Sequence, residues 1–177
     1  MEHRARNTRY AKRNGQMMVE LIVALSILVI GFLGVIELLA KSIAANRDIA
    51  DQYTASYLAG EGVEIVKNLI DANIAQGKGW NCSLNVAGIF QVNYDSLPPG
   101  ASCPGNALKV AGGSPDVLRY NATTHLYKSG TASDGDLSPF TRKIAIVPLS
   151  DAIYVSSSVT YGSKVVSVQD IFTNWRP

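Results

Sequence analysis

The chain has 177 residues, of which 47% are hydrophobic and 17% are charged, and this length suits one modest globular domain with an extended element. Its first fifteen residues hold five Lys or Arg and one Glu, a net charge of +4, which leaves −2 for the rest of a chain whose total is +2. A nucleic-acid-binding domain needs basic residues on a folded face. The distribution gives no indication of that function and marks residues 1–15 as a basic tail.

An apolar segment follows the tail and runs from Met17 to Ala40, interrupted only by Glu20 and Glu37. As a helix rising ~1.5 Å per residue it would span about 36 Å, which is enough to cross a bilayer. It is longer than the ~7–15 apolar residues of a secretory signal, which favours an anchor over a signal removed after Ala40. Basic residues before the segment and their scarcity after it predict a cytoplasmic N-terminus and place everything beyond Lys41 outside.

Glu20 is the informative residue of this segment, because a carboxylate inside a membrane helix costs on the order of a few kcal/mol and indicates a functional site. The partner that we expect is the new amine formed if the chain is cut between Gly15 and Gln16, contributed by a neighbouring subunit. The two opposite charges would neutralise each other in surroundings of low dielectric constant. In the alternative interpretation, Glu20 reaches the cytoplasmic headgroups.

The residues Arg13-Asn14-Gly15, followed by Gln16-Met17-Met18-Val19-Glu20, resemble the type IV prepilin signature. That signature is a short basic leader ending in glycine and a long apolar helix with glutamate at its fifth position. The resemblance covers about the first seventy residues. It implies cleavage after Gly15 by a prepilin peptidase on the cytoplasmic side, N-methylation of Gln16, and assembly into a filament core in which Glu20 aids docking.

The partners that the resemblance implies are other pilin subunits, in homo- or hetero-assembly, the prepilin peptidase, and the pilus assembly machinery of the inner membrane. No cofactor is implied. The family usually has phenylalanine as its first mature residue, where this chain has Gln16. Minor pilins and pseudopilins vary more at this position, so Gln16 favours a minor pilin. Cleavage depends chiefly on the glycine, whereas methylation of Gln16 is less firmly implied.

Beyond Lys41 the pattern predicts an amphipathic continuation of the helix over residues 41–75. Its apolar residues recur at mostly helical intervals, at Ile43, Ile49, Tyr53, Tyr57, Val63, Val66, Ile70 and Ile74. Gly60 and Gly62 weaken the helix, and either close approach of a sheet or a kink would account for them.

Residues 76–116 are rich in Gly, Pro, Asn and Ser and are predicted to form a connecting loop with one short strand at 89–94. A two-residue type II′ turn at Gly162-Ser163 would place Val159 opposite Val166 and Ser157 opposite Val168. The remaining strands are predicted at residues 117–121, 125–128, 141–147, 153–161 and 164–172. The predicted fold class is therefore α+β and pilin-like, with a long N-terminal helix, membrane-spanning in its first half, packed on a C-terminal antiparallel β-sheet over residues 117–175.

Two cysteines, Cys82 and Cys103, lie in the predicted loop. They form no CxxC pair and have no histidines near them in sequence, so a zinc site is not indicated. A disulfide is favoured, with two reduced thiols as the alternative. Such a bond needs an oxidising compartment and would stabilise the fold by roughly 3 kcal/mol.

No catalytic or metal site is predicted. His125 is the one histidine outside the tail, and no nucleophile elbow accompanies it. Asp134-Gly135-Asp136 lacks the twelve-residue pattern of a calcium loop, so a solvated turn is expected there.

The sequence thus predicts three parts: a cleaved leader at 1–15, a transmembrane and filament-core helix at 16–40, and an extracytoplasmic domain at 41–177. The expected function is structural, as a minor pilin of a type IV pilus or related filament. The expected location is the inner membrane, as a single-pass protein, and then an extracellular filament. One alternative is a pseudopilin of a type II secretion system, and another is an uncleaved, signal-anchored binding domain or adhesin.

Overall fold

The computed structural model describes residues 3–95, 109–110 and 117–174. The α+β fold class is confirmed, because one long N-terminal helix packs on an antiparallel sheet. This helix, α1, runs from His3 to Ala75. The chain divides into two units between Ile49 and Ala50, so that the sheet and the last part of α1 lie in the same unit.

The end of α1 is fixed by a glycine in the left-handed conformation. Gly77 has a φ of +67°, which glycine adopts without steric cost. Its N–H donates to the carbonyl of Ile74 at 3.0 Å, and the N–H of Lys78 donates to the carbonyl of Asn73 at 2.9 Å. This pair of bonds is a Schellman motif, and it satisfies carbonyls that the end of a helix leaves without partners.

The described residues form seven strands in one antiparallel sheet. Their bounds are β1 Gly88–Gln91, β2 Lys109–Val110, β3 Val117–Asn121, β4 Leu126–Ser129, β5 Asp136–Pro148, β6 Ala152–Tyr161 and β7 Lys164–Thr173. The longest strand, β5, is central: it pairs with β6 along one edge and with β1 and β3, one after the other, along the opposite edge.

The pairing of β6 with β7 follows the predicted register, with Val159 opposite Val166 and Ser157 opposite Val168. Gly162 has a φ of +54°, whereas Ser163 has no positive φ, as the first and second central residues of a type II′ turn require. Along β6, buried and half-buried residues alternate. The strand therefore has one face toward the core and one toward solvent.

The core lies between α1 and one face of the sheet, in two clusters. The first combines residues of α1, of three strands and of the segments that flank β1, at Ile65, Val66, Leu69, Ile70, Leu84, Phe90, Val92, Ile144, Ile146, Ile153 and Val155. The second lies nearer the start of this unit, at Ala55, Leu58, Ala59, Leu118, Phe140, Val159 and Tyr161.

The predicted apolar stripe is correct only in its second part. Val63, Val66 and Ile70 are buried, but Tyr53 and Tyr57 are 65% and 78% exposed. Ile43 and Ile49 are exposed as well. The sheet instead contacts the small residues Ala55 and Ala59, because small side chains let a helix approach a sheet closely.

Three other predictions need correction. The short strand predicted at 89–94 is present as β1, but the predicted loop over 76–116 also contributes β2, so the described sheet begins before residue 117. His125 lies in a turn with a φ of +58°, and its N–H donates to the carbonyl of Asn121 at 2.8 Å; β4 therefore starts one residue later than predicted.

β5 begins at Asp136 and not at Thr141, although Pro139 lies inside it. Proline cannot donate to a ladder, and the pairing of β3 with β5 is irregular at this point. The Ser138 hydroxyl donates to the Leu118 carbonyl at 2.6 Å in place of a main-chain donor. The strand therefore continues through the proline.

Candidate processing and assembly site

The first part of α1 exposes an apolar surface from Met17 to Ala40, and the charged residues within it are Glu20 and Glu37. This helix is long and apolar enough to cross a membrane. A helix satisfies its main-chain hydrogen bonds internally, which a segment in hydrocarbon needs. Residues 17–40 thus form the chain's candidate membrane-spanning segment.

Gly15 and Gln16, the predicted processing site, lie within α1, one turn before Glu20. No heavy atom lies within 4 Å of a Cβ built on Gly15, so the space around it is open. A peptide bond inside a helix must leave the helical conformation before a protease can bind it in an extended form. Glycine lowers that cost, since it is about 1 kcal/mol less favourable in a helix than alanine.

Glu20 has no cation three or four positions away in the sequence of α1. The residues three and four positions away are Gln16, Met17, Val23 and Ala24, and these positions are the ones that meet on a helix surface. Within the part of the chain that the structure describes, Glu20 forms no salt bridge.

Glu37, the other carboxylate of the segment, contrasts with Glu20. Its Oε1 lies 2.7 Å from the Lys41 Nζ, one turn later. Lys41 follows the last residue of the apolar segment, so this pair lies at the end of that segment. The two glutamates are chemically alike, but only Glu37 has a partner supplied by its own helix.

Comparison with models of known protein families, with curated proteins and with solved structures found no match. The support for a site at residues 15–20 is therefore the residue pattern together with the geometry of α1.

Cys82 is buried and disulfide-bonded. Cys103 lies outside the described residues, so the pairing of these two cysteines stays a prediction. The turn that holds Cys82 is tied to the end of α1 by Asn73, whose Nδ2 donates to the Cys82 carbonyl at 2.9 Å and to the Trp80 carbonyl at 3.4 Å. Asn73 is fully buried, and its Oδ1 has no hydrogen-bond partner among the described residues.

The residues considered for metal or catalysis have structural contacts. The Asp134 carboxylate accepts hydrogen bonds from the Thr131 N–H at 2.7 Å and from its hydroxyl at 3.1 Å, and these bonds lower the pKa of Asp134. The Nδ1 atom of His125 lies 2.8 Å from the Tyr120 hydroxyl. The described residues contain no group of three or more His, Cys, Asp or Glu that could hold a metal ion.

One buried charge was missed by the sequence reasoning. Arg142, 3% exposed, projects from β5 toward α1. Its guanidinium donates to the carbonyls of Leu58 at 3.3 Å and Val92 at 3.0 Å, and it lies 3.2 Å from the Glu61 carboxylate. The alternation of residues along β5 could have indicated this burial. Arg142 lies two residues from Phe140 and two from Ile144, and all three side chains point toward the core.

Proposed function

We propose that this chain is a structural subunit, specifically a minor pilin, of a type IV pilus or a related filament. A prepilin peptidase would cut between Gly15 and Gln16, and the subunits would then assemble through α1. The observation that carries the proposal is a glutamate that forms no salt bridge among the described residues. It lies five residues after a glycine, near the start of the exposed apolar segment of α1. The role of the chain is non-enzymatic, and its final location is an extracellular filament.

Filament assembly would cover the surface that α1 leaves exposed. Contiguous apolar surface of this size is unusual on a monomer and is typical of membrane or protein contact. Past Lys41, the exposed residues Ile49, Tyr53 and Tyr57 extend that surface. These residues lie beyond the candidate membrane-spanning segment, which favours helix-to-helix contact between subunits as the reason for their exposure.

Pairing with a neighbour's amine would explain Glu20. A free amine at Gln16 exists only after cleavage, so processing and docking would be coupled. A charge pair formed in a low-dielectric surrounding is strong only if both charges are present. An uncut chain would therefore enter the membrane but would not dock.

The deciding experiment is intact mass and N-terminal sequencing of the protein from membranes and from sheared surface material of producing cells. We expect a chain that begins at Gln16 in both fractions. Gly15→Ala should block the cut, whereas Gly31→Ala, at an equally open position of the same helix, should not. A chain that keeps Arg13-Asn14-Gly15 in cells with an active prepilin peptidase would refute the proposal and favour a simple anchor.

Docking is tested by comparing two carboxylates of the same helix. Glu20→Gln should leave cleavage intact and reduce the amount of subunit in sheared filaments. Glu37→Gln is the matched control, because Glu37 has Lys41 as its own partner. If the two variants are incorporated into filaments in equal amounts, Glu20 has no specific role in assembly.

A further inference from the structure

The strand β7 forms an edge of the sheet. It pairs with β6 over all ten of its residues and with no other described strand. Its solvent-facing residues Val165 and Ile171 are 62% and 57% exposed. A long, regular edge of this kind offers a row of main-chain donors and acceptors to another strand.

The turn between β6 and β7 determines which main-chain groups point to that edge. In a two-residue hairpin, the residues that flank the turn, here Tyr161 and Lys164, form a hydrogen-bonded pair. Lys164, Val166 and every second residue after them therefore bond to β6. The N–H and C=O groups of residues 165, 167, 169 and 171 point to the free edge, although the N–H of Ile171 already donates to Asp170 Oδ1 at 2.8 Å.

The side chains of β7 are complementary to those of a second, antiparallel copy. If Ser167 lies opposite Ser167 of the second copy, Lys164 lies opposite Asp170, and Val166 lies opposite Val168. Directly opposite residues share a face of the sheet, so these two pairs match, the first in opposite charge and the second in apolar character, whereas Val165 faces the polar Gln169. The edge-pointing residue 165 then meets residue 169, so the hydrogen-bonding positions also coincide.

We propose that β7 is a self-pairing edge, through which two copies of this chain join their sheets with Ser167 on the twofold axis. Such an interface is isologous, so each ion pair and each valine pair occurs twice. Lys164 already interacts within its own chain, and an ammonium has three N–H donors, so the two interactions are compatible. This proposal does not depend on cleavage at Gly15 or on filament assembly.

The two ion pairs select this register from the others. A shift by two residues keeps the main-chain bonds but separates Lys164 from Asp170 at both ends. A shift by one residue places edge-pointing groups opposite groups that bond to β6. The competing explanation is that Lys164 and Asp170 are edge charges that prevent pairing, and it predicts the opposite experimental result.

The test is disulfide cross-linking of full-length chains in membranes under mild oxidation. Opposed Cα atoms of a hydrogen-bonded antiparallel pair are ≈ 5.5 Å apart, which is within disulfide reach. Ser167→Cys should therefore give a covalent dimer that reducing agent dissolves. Ser158→Cys, directly behind Ser167 on β6, is the control: its distance to its counterpart would be about three strand spacings, ~14 Å.

Two further pairs of substitutions test the register and the charges. Val165→Cys and Gln169→Cys should each fail to cross-link alone but should form a mixed dimer when expressed together. In the Ser167→Cys background, Lys164→Glu should abolish the dimer, and adding Asp170→Lys should restore it. If Ser167→Cys cross-links no faster than Ser158→Cys, or if Lys164→Glu has no effect, the proposal is wrong.

Discussion

A Cβ atom on Gly62 would collide with the hydroxyl oxygen of Ser157, because α1 passes directly over β6 at this point. The same Cβ would lie 3.2 Å from the Ile144 Cδ1 atom. Ser157 is fully buried, and its hydroxyl has no hydrogen-bond partner among the described residues. This close approach of α1 to β6 thus excludes a side chain at position 62 and admits only a small one at position 157.

Gly62→Ala should lower the free energy of unfolding by about 1–3 kcal/mol, because overpacking outweighs the gain in helix propensity. Gly60→Ala is the matched control: its Cβ meets open space, so it should raise stability by up to about 1 kcal/mol. Denaturant unfolding of the purified protein measures both. Ser157→Gly should recover part of the loss in Gly62→Ala. Equal effects of the two alanine variants would contradict the close approach.

Arg142→Met should destabilise the domain by about 1–3 kcal/mol, because it removes the donor to the Val92 carbonyl and leaves Glu61 without its cation. Glu61 is partly exposed, so water can solvate its carboxylate, which keeps the loss moderate. Lys143→Met, the next residue on the solvent-facing side of β5, should change stability by no more than about 0.5 kcal/mol. Thermal unfolding of the two variants tests this prediction. If Arg142→Met changes stability no more than Lys143→Met does, the contacts of Arg142 contribute little.

Asn73→Asp should be more harmful than Asn73→Ala. A carboxylate cannot donate to the Cys82 and Trp80 carbonyls, and it would be buried without a cation. Alanine loses the same two hydrogen bonds, each of which contributes about 1 kcal/mol net to stability. It also removes the buried amide oxygen that has no partner among the described residues, which offsets part of this loss. The unfolding midpoints, with the disulfide intact, rank the variants. The reverse order would show that an unseen group satisfies Oδ1.

Asp134 should make stability depend on pH in the acid range. Hydrogen bonds from Thr131 and the nearby Lys128 lower its pKa below the ordinary 3.8. The charged form therefore stabilises the fold above that pH, and this contribution is lost as the pH falls through the lower folded pKa. The difference in Tm between wild type and Asp134→Asn should shrink as the pH is lowered below 3.8. The difference in Tm between wild type and Thr131→Val should show the same pH dependence with a smaller amplitude. If the difference in Tm for Asp134→Asn does not change with pH, the charge of Asp134 is not its cause.

Tyr57→Ala should leave the domain stable but reduce its incorporation into filaments, because Tyr57 is 78% exposed. Leu58→Ala, one residue later in the core, should instead cost about 2–5 kcal/mol. Thermal unfolding and the amount of subunit in sheared material separate the two effects. Normal incorporation of Tyr57→Ala would exclude this part of α1 from the proposed contact surface.

Local rules predicted some features of this fold and missed others. The register that pairs Val159 with Val166 follows from the turn at Gly162 and from the alternation of apolar and polar residues. Both signals lie within a short stretch of sequence. The start of β5 was not predicted because Pro139 is unfavourable inside a strand. The strand continues through Pro139 because the Ser138 hydroxyl bonds to Leu118 of β3, and this tertiary contact cannot be inferred from the local sequence. Of the two glycines expected to permit close packing, only Gly62 does so; the difference depends on the position of β6, which no pattern within α1 encodes.

The candidate site shows the same limit. Gly15, Gln16 and Glu20 were predicted from a spacing that resembles the type IV prepilin signature, and their roles stay predictions. Arg142 was missed because its acceptors, the carbonyls of Leu58 and Val92, are distant from it in sequence. Without knowledge of those acceptors, an arginine in a strand is interpreted as solvent-exposed.

The bond from Arg142 to Leu58 joins residues 84 positions apart, which has a consequence for how the protein is made. At a synthesis rate of ~5–20 residues per second, Leu58 waits roughly 4–17 s for the strand that covers it. During that interval Val63 and Val66 have no sheet to pack on. A chain that stops before β6 would never enclose a core, so the ribosome must have made β6 before the unit that begins at Ala50 can fold.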